Sequence, residues 1–111
     1  MLSFLQRLFG RGRPSSPWPF DRPPKARALT TRQVLEGSEE VHVVVHYSDD
    51  HSWAFLCGTT DAKEDGRVIT MADAVTLDET LHGIADLPPG WKAWRESRGA
   101  AWERAENVAT G

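Results

Sequence analysis

The chain has 111 residues, of which 40% are hydrophobic and 26% are charged, and its formal net charge is −3. These values are ordinary for a globular protein and exclude collagen-like and wholly disordered chains. A single cysteine excludes an internal disulfide scaffold, and no apolar run approaches the roughly 18–20 residues of a membrane-spanning helix.

The charge is unevenly distributed along the chain. Residues 1–27 contain six basic residues and one acid, a net +5, whereas the other 84 positions contain seven Lys or Arg and fifteen Asp or Glu, a net −8. A domain this acidic repels phosphate backbones, so we expect no nucleic-acid binding. It can face a basic protein partner, although a charged surface that only keeps the domain soluble explains the same composition.

The first nine residues predict a short amphipathic leader helix that ends at Gly10. Such a helix is too short to be stable alone in water, so it needs a membrane interface, a partner or its own domain as a surface. It does not fit a signal peptide, because Gln6 and Arg7 interrupt the apolar stretch. An anionic membrane would be contacted by the apolar stripe and the arginines after it, namely Leu2, Leu5, Leu8, Phe9, Arg11 and Arg13.

Residues 10–27 predict a linker, because five of the seven prolines lie there and favour extended conformations. Trp18 and Phe20 interrupt this segment. The two aromatic side chains either pin the linker onto the domain or form a docking motif for a partner.

Residues 28–105 predict a single α+β domain, with a small, mostly antiparallel sheet of about four to five strands and two or three short helices. Thr30 or Thr31 is expected to cap a first helix that stops at Gly37. Residues 41–47 and 53–57 then read as the two strands of an antiparallel hairpin. Both faces of the second strand are apolar, so we expect it to be central in the sheet.

The second half of the domain predicts an acidic loop over residues 58–66 and a third strand over 67–70. Thr70 and Asp78 are expected to cap two short helices, the second of which turns Leu81 and Ile84 inward. Two closing strands, 91–95 and 101–104, complete the domain, and residues 106–111 are expected to be a frayed tail. Trp91 and Trp94 point to opposite sides of their strand, so at least one of them should be exposed at an edge.

Few residues suggest catalysis or metal binding. An antiparallel hairpin can bring His46, His51 and Cys57 together, but no C-x-x-C or H-E-x-x-H spacing accompanies them. Hydrolase and nucleotide signatures such as G-x-S-x-G, the P-loop and G-x-G-x-x-G do not occur in the sequence. We therefore expect no enzyme activity, no metal and no cofactor.

Acidic residues in the hairpin turn and in the following loop are the main candidates for partner binding. If both loops lie on one rim of the sheet, they form an acidic patch that speeds encounter with a basic surface. They lack the ligand spacing of a calcium loop, and ordinary surface loops explain them equally well. The candidate set also includes an exposed Trp beside an Arg, a typical binding hot spot, and comprises Asp49, Asp50, Asp61, Glu64, Asp65, Trp94 and Arg95.

Four short segments carry a resemblance to a known family: W-A-F-L-C-G at 53–58, E-D-G-R at 64–67, L-D-E-T-L at 77–81 and L-P-P-G-W-K-A-W-R at 87–95. Over residues 29–105 the chain resembles a small bacterial domain family of unknown function that is grouped with the immunity proteins of polymorphic toxin systems. The resemblance implies a compact α+β domain that binds a protein and catalyses nothing. The positions that match are Trp53, Phe55, Gly58, Asp61, Glu64, Asp65, Pro89, Gly90 and Arg95.

Within that resemblance, Trp53, Phe55 and Gly58 are expected to determine the fold, and the acids to contact the partner. We therefore expect a cytoplasmic, immunity-like protein-binding module. The alternative is a peripheral membrane adaptor that is anchored by the leader.

Overall fold

The structure is a computed structural model that describes residues 18–107. Its strands are β1 (Arg27–Thr31), β2 (Val43–His46), β3 (Trp53–Leu56), β4 (Gly66–Thr70), β5 (Trp91–Trp94) and β6 (Glu103–Glu106). The helices are α1 (Arg32–Glu36) and α2 (Met71–Leu77), with 3-10 helices at Lys63–Asp65 and Glu79–Ile84. The predicted α+β class is confirmed, with six strands in place of four to five.

The six strands form one sheet in the order β4-β1-β3-β2-β5-β6. All neighbours are antiparallel except β1 and β3, which run parallel with Leu29 opposite Ala54. The predicted hairpin is β2-β3, in which His46 lies opposite Trp53. As expected, β3 is central, but the strand on its other side is β1, which the sequence reading had treated as the approach to a helix.

Local side-chain chemistry sets the ends of the helices. Thr70 and Asp73 form a reciprocal capping box at the start of α2, and Asp78 caps the following 3-10 helix by accepting from the Thr80 amide. Thr31 occupies the N-cap position of α1 without a side-chain cap, and Gly37 ends that helix at a φ of 80°. Among the described helices, none is long and apolar enough to cross a bilayer.

The hydrophobic core lies between one face of the sheet and the helices. Trp53, Phe55 and Val44 project from the sheet into this layer, and Leu81 and Ile84 meet them from the 3-10 helix, as predicted. Alternate strand residues point to the other face, which the described helices do not cover.

The segment before β1 belongs to this core. Phe20 is 6% exposed, and its ring packs edge-on against Trp53 at 5.0 Å and against Phe55 at 6.2 Å. Trp18 packs on Phe20 at 5.6 Å, so both aromatics pin the segment onto their own domain. The domain therefore begins before residue 28, and residues 18–27 are not a free linker.

The closing hairpin also extends further than predicted. β6 continues to Glu106, and the Asn107 amide donates to the Gly90 carbonyl at 2.7 Å. Glu106 and Asn107 therefore belong to the closing hairpin, and the prediction of a frayed tail is wrong for these two residues. Residues 108–111 lie outside the described chain.

Candidate protein-binding site

The two acidic loops predicted to share one rim lie at opposite ends of the sheet. The hairpin turn, residues 48–52, precedes Trp53, whereas the 58–66 loop follows Leu56. The four residues of β3 separate the loops by roughly 13 Å. The single rim is therefore wrong: Asp49 and Asp50 lie at what we call the hairpin-turn end, and Asp61, Glu64 and Asp65 lie at the other end.

Three acids that the sequence reading missed join the 58–66 loop. Because β1 runs parallel to β3, the segment that follows β1 emerges at the same end of the sheet as the segment that follows β3. Residues 36–42 and 58–66 together contain six acids and one basic residue, Lys63. We call this region the acidic end, and its acids are Glu36, Glu39, Glu40, Asp61, Glu64 and Asp65.

Side-chain hydrogen bonds hold the two loops of the acidic end together. Thr59 Oγ1 donates to the Glu39 carboxylate at 2.8 Å. Arg32 bridges the loops by contacting Glu36 at 3.1 Å and Asp65 at 3.2 Å. The relative position of the two loops is therefore set by contacts between residues far apart in the chain.

Asp65 is part of this internal framework and not a free contact residue. Hydrogen bonds from Thr60, Gln33 and Arg32 hold the pKa of Asp65 below its usual value, and the carboxylate side chain is only 15% exposed. Asp61 and Glu64 are exposed, and their side chains form no hydrogen bond or ion pair with the rest of residues 18–107. Of the three acids in the 58–66 loop, Asp61 and Glu64 are therefore the ones that a partner can reach.

A cavity of about 320 Å³ opens beside the acidic end. Its apolar walls come from Val34, Leu35, Val41 and Leu77, and its polar lining comes from Glu36, Glu39, Glu40, Asp78 and Arg98. A lysine or arginine side chain has matching chemistry, with an apolar stem and a cationic head.

Arg95, predicted as a partner contact, is buried beneath this cavity. Its guanidinium donates to Asp78 Oδ2 at 2.7 Å and to the Val41 carbonyl at 3.1 Å, and it stacks on Trp102 at 4.2 Å. The side chain is 1% exposed, so the predicted contact role of Arg95 is wrong. Trp94, the neighbouring candidate, is 39% exposed on the other face of β5.

The carboxylate of Asp78 is held ionised by its surroundings. Burial alone raises the pKa of Asp78, but hydrogen bonds from Thr80 and Arg95 outweigh that effect, and the pKa lies below its ordinary value. Arg98 adds a second cation, with Nε 3.4 Å from Asp78 Oδ1. The pair of Asp78 and Arg95 thus ties the segment after α2 to the end of β5 and supports the floor of the cavity.

The histidines and the cysteine do not converge. His46 and His51 lie at the hairpin-turn end, and Cys57 lies beyond the opposite end of β3. The Nε2 atom of His46 is 3.1 Å from an oxygen of Asp21, and its Nδ1 atom contacts the Leu87 carbonyl at 2.7 Å. Trp53 Nε1 donates to Asp21 Oδ1 at 2.9 Å and fixes the Asp21 segment to the sheet. The two histidines and Cys57 therefore do not come together across the hairpin.

Cys57 is an internal residue of the covered face, with 0% of its surface exposed. Burial raises the pKa of its thiol, but hydrogen bonds from Thr31 and Thr59 outweigh burial and leave the pKa below its ordinary value. Within residues 18–107, no three His, Cys, Asp or Glu side chains are arranged to hold a metal ion.

No known family accounts for this site. No family model matches the chain, and neither a curated protein nor a solved structure matches it. The resemblance to immunity proteins therefore stays a prediction. The membrane contact of residues 1–13 also remains a prediction, since those residues lie outside the described chain.

The positions that carry the resemblance have clear structural roles. Trp53 and Phe55 are at most 1% exposed. Gly58 has a φ of 79°, and the Gly90 amide donates to the His46 carbonyl at 2.7 Å. These four residues shape the core and two turns, so a pattern built from them reports on the fold more than on a partner.

Proposed function

We propose that this chain is a non-catalytic protein-binding module of the immunity or inhibitor type, and that its acidic end binds a basic surface of the partner protein. The observation that carries the proposal is the meeting of six acids from two separate loops at one end of the sheet, where three of them, Glu36, Glu39 and Glu40, line a cavity. Charge of one sign concentrated at one end of a small domain steers an oppositely charged partner and raises the rate of association.

Different acids have different roles in this interface. Asp61 and Glu64 are exposed and meet the partner first. Glu36 and Glu40 line the cavity, where the head of a partner lysine or arginine can reach them while its stem packs on Leu35 and Leu77.

The framework beneath the acids supports tight binding. Arg32 fixes Asp65 at one side of the site, and Arg95 fixes Asp78 at the other. Because these contacts order the loops before a partner arrives, binding loses less conformational entropy than it would with disordered loops.

The test reverses the two exposed charges. We expect Asp61→Lys combined with Glu64→Lys to weaken binding of a basic partner at least about tenfold, mainly by slowing association. The matched control is Asp49→Lys combined with Glu106→Lys, which makes the same change in net charge at the hairpin-turn end and should leave affinity nearly unchanged.

The measurement begins with capture of the tagged protein and both variants from host extract, followed by mass spectrometry. The captured protein is then purified and its association rate is measured at several salt concentrations. A partner that binds both variants equally, or whose association is insensitive to salt, would contradict the proposal.

A further inference from the structure

The face of the sheet that points away from the helices carries an apolar patch bordered by Lys92 and Glu103, and within residues 18–107 no helix covers it. Its side chains form two rows across the strands: the first runs from Val68 through Leu29, Ala54 and Val45 to Lys92, and the second runs from Leu56 through Val43 and Trp94 to Glu103. Ala54 and Val45, in the middle of the first row, are buried. Val68 is 63% exposed, Leu29 43% and Trp94 39%. We call this surface the open face, and its apolar members are Val68, Leu29, Ala54, Val45, Leu56, Val43 and Trp94.

The open face contains a shallow hollow of about 280 Å³ near the hairpin-turn end. Leu29 and Val68 line the hollow together with Arg27, Ser52 and Asp50. Asp50 and Arg27 are the charged residues that line the hollow, and exposed Asp49 lies next to Asp50 in the hairpin turn.

The described chain begins close to this hollow. Arg22 donates through Nη1 to the carbonyl of Asp50 at 3.0 Å, and Trp18 donates through Nε1 to the carbonyl of Arg22 at 2.6 Å. Trp18 itself packs on Phe20 at the covered face, so the residues before it start near the hairpin-turn end and reach the open face only by passing around that end of the sheet. The eight residues 10–17 can extend up to about 27 Å, which is enough to carry the leader around the end of the sheet.

We propose that the leader, residues 1–13, docks on the open face of its own domain. The stripe of Leu2, Leu5, Leu8 and Phe9 packs on the apolar rows, while Arg11 and Arg13 lie toward Asp49 and Asp50. The length of the leader helix matches the width of three strands of the open face: a nine-residue helix is about 14 Å long, and three neighbouring strands span about 14 Å.

The same observations favour the chain's own leader over a second copy of the domain. A short tether gives the leader a millimolar effective concentration. Docking in this way also supplies the surface that a nine-residue helix needs in order to form.

The test places a nitroxide spin label on the leader and observes the amide signals of the full-length chain by NMR. The label is attached at Ser3→Cys, away from the apolar stripe, in a Cys57→Ala background. We expect most of the signal from Val68, Leu29 and Ala54 to be lost, at all protein concentrations. Adding Leu5→Asp and Leu8→Asp should restore the signals, and a label at exposed Ser97→Cys should leave them unchanged.

A second measurement avoids the cysteine substitutions. Amide chemical shifts of the native chain are compared with those of the Leu5→Asp/Leu8→Asp variant, and with those of Val68→Asp, which puts a charge on the open face at a position that is 63% exposed. Both variants should shift the same group of open-face amides. The control is Ser97→Asp, which changes an exposed turn residue that does not lie on the open face. This control should leave the open-face amide shifts unchanged.

Several results would overturn the proposal. Unchanged open-face signals in a folded, labelled chain would exclude docking. Signal loss that occurs only when labelled and isotope-enriched chains are mixed would assign the contact to a second copy. Contact that appears only after phosphatidylglycerol vesicles are added would assign the leader to the membrane.

Discussion

At the scale of single residues, the buried ion pair of Asp78 and Arg95 matters most for the candidate site. The two side chains are 6% and 1% exposed and are joined at 2.7 Å. Taking both charges out of water is costly, so removing one partner leaves the other uncompensated. Replacing a single oxygen of the Asp78 carboxylate is therefore enough to destabilise the floor of the cavity.

We predict that Asp78→Asn lowers the free energy of unfolding by about 3–5 kcal/mol, because it strands the Arg95 charge while keeping an oxygen for the Thr80 amide. Urea unfolding at neutral pH measures this. The control is Asp86→Asn, which breaks the exposed pair with Arg104 and should cost less than about 1 kcal/mol. Equal costs for the two variants would mean that burial of the pair has no energetic consequence.

The same carboxylate predicts a pH dependence. Since the pKa of Asp78 is lowered in the folded state, its stabilising contribution is complete above the unfolded value of about 3.9 and is lost as the pH falls through the folded value. The wild type should therefore lose stability more steeply below about pH 4 than Asp78→Asn does. Urea unfolding at a series of acidic pH values gives the two slopes, and parallel slopes would contradict the assignment.

At the scale of elements, Gly58 sets the course of the acidic 58–66 loop as it leaves β3. Its φ is 79°, and a Cβ atom there would lie 2.9 Å from Val43 Cγ2, closer than side chains approach in folded proteins. Any other residue would have to move the loop or the β2 side chain. The loop that carries Asp61 and Glu64 thus depends on a glycine at its first position.

We predict that Gly58→Ala costs about 1–3 kcal/mol through backbone strain and the close contact with Val43. Gly83→Ala is the matched control: no atom lies within 4 Å of the added Cβ and its φ is ordinary, so the change should be neutral or slightly stabilising. Thermal unfolding of both variants compares them. A Gly58→Ala protein as stable as Gly83→Ala would show that the loop moves freely.

At the scale of the whole molecule, residues before β1 complete the core of a small domain. Phe20 contacts Trp53 and Phe55, and Asp21 accepts from Trp53 Nε1 at 2.9 Å. A domain of about 90 residues has few large core side chains, so each contributes a substantial part of its stability. The proline-containing segment is therefore a structural part of the domain.

We predict that Phe20→Ala lowers the free energy of unfolding by about 3–5 kcal/mol, the usual cost of removing a buried phenylalanine. Lys25→Ala, an exposed change in the same segment, should alter it by less than about 0.5 kcal/mol. Urea unfolding of both variants decides between a packed and a peripheral segment. Equal stability would place Phe20 outside the core.

The sequence by itself determined the elements whose causes are local. The β-branched and aromatic residues on either side of a polar turn predicted β2 and β3, Thr70 as a helix cap predicted the start of α2, and Gly37 predicted the end of α1. In each case the deciding interactions join residues a few positions apart, so they can be read directly from the chain.

Only the tertiary structure decided where the functional groups lie. Arg32 and Asp65 are 33 residues apart, and they meet because β1 pairs with β4, with Thr31 opposite Gly66, which local patterns do not reveal. Arg95 is buried because Asp78, 17 residues earlier, faces it. The predicted acidic rim is divided by β3 itself, since the loops before and after a strand lie at its opposite ends. Long-range strand pairing decided instead that the helix after β1 lies beside the 58–66 loop, because the side of a fold on which a segment emerges depends on strand direction and not on the composition of the segment.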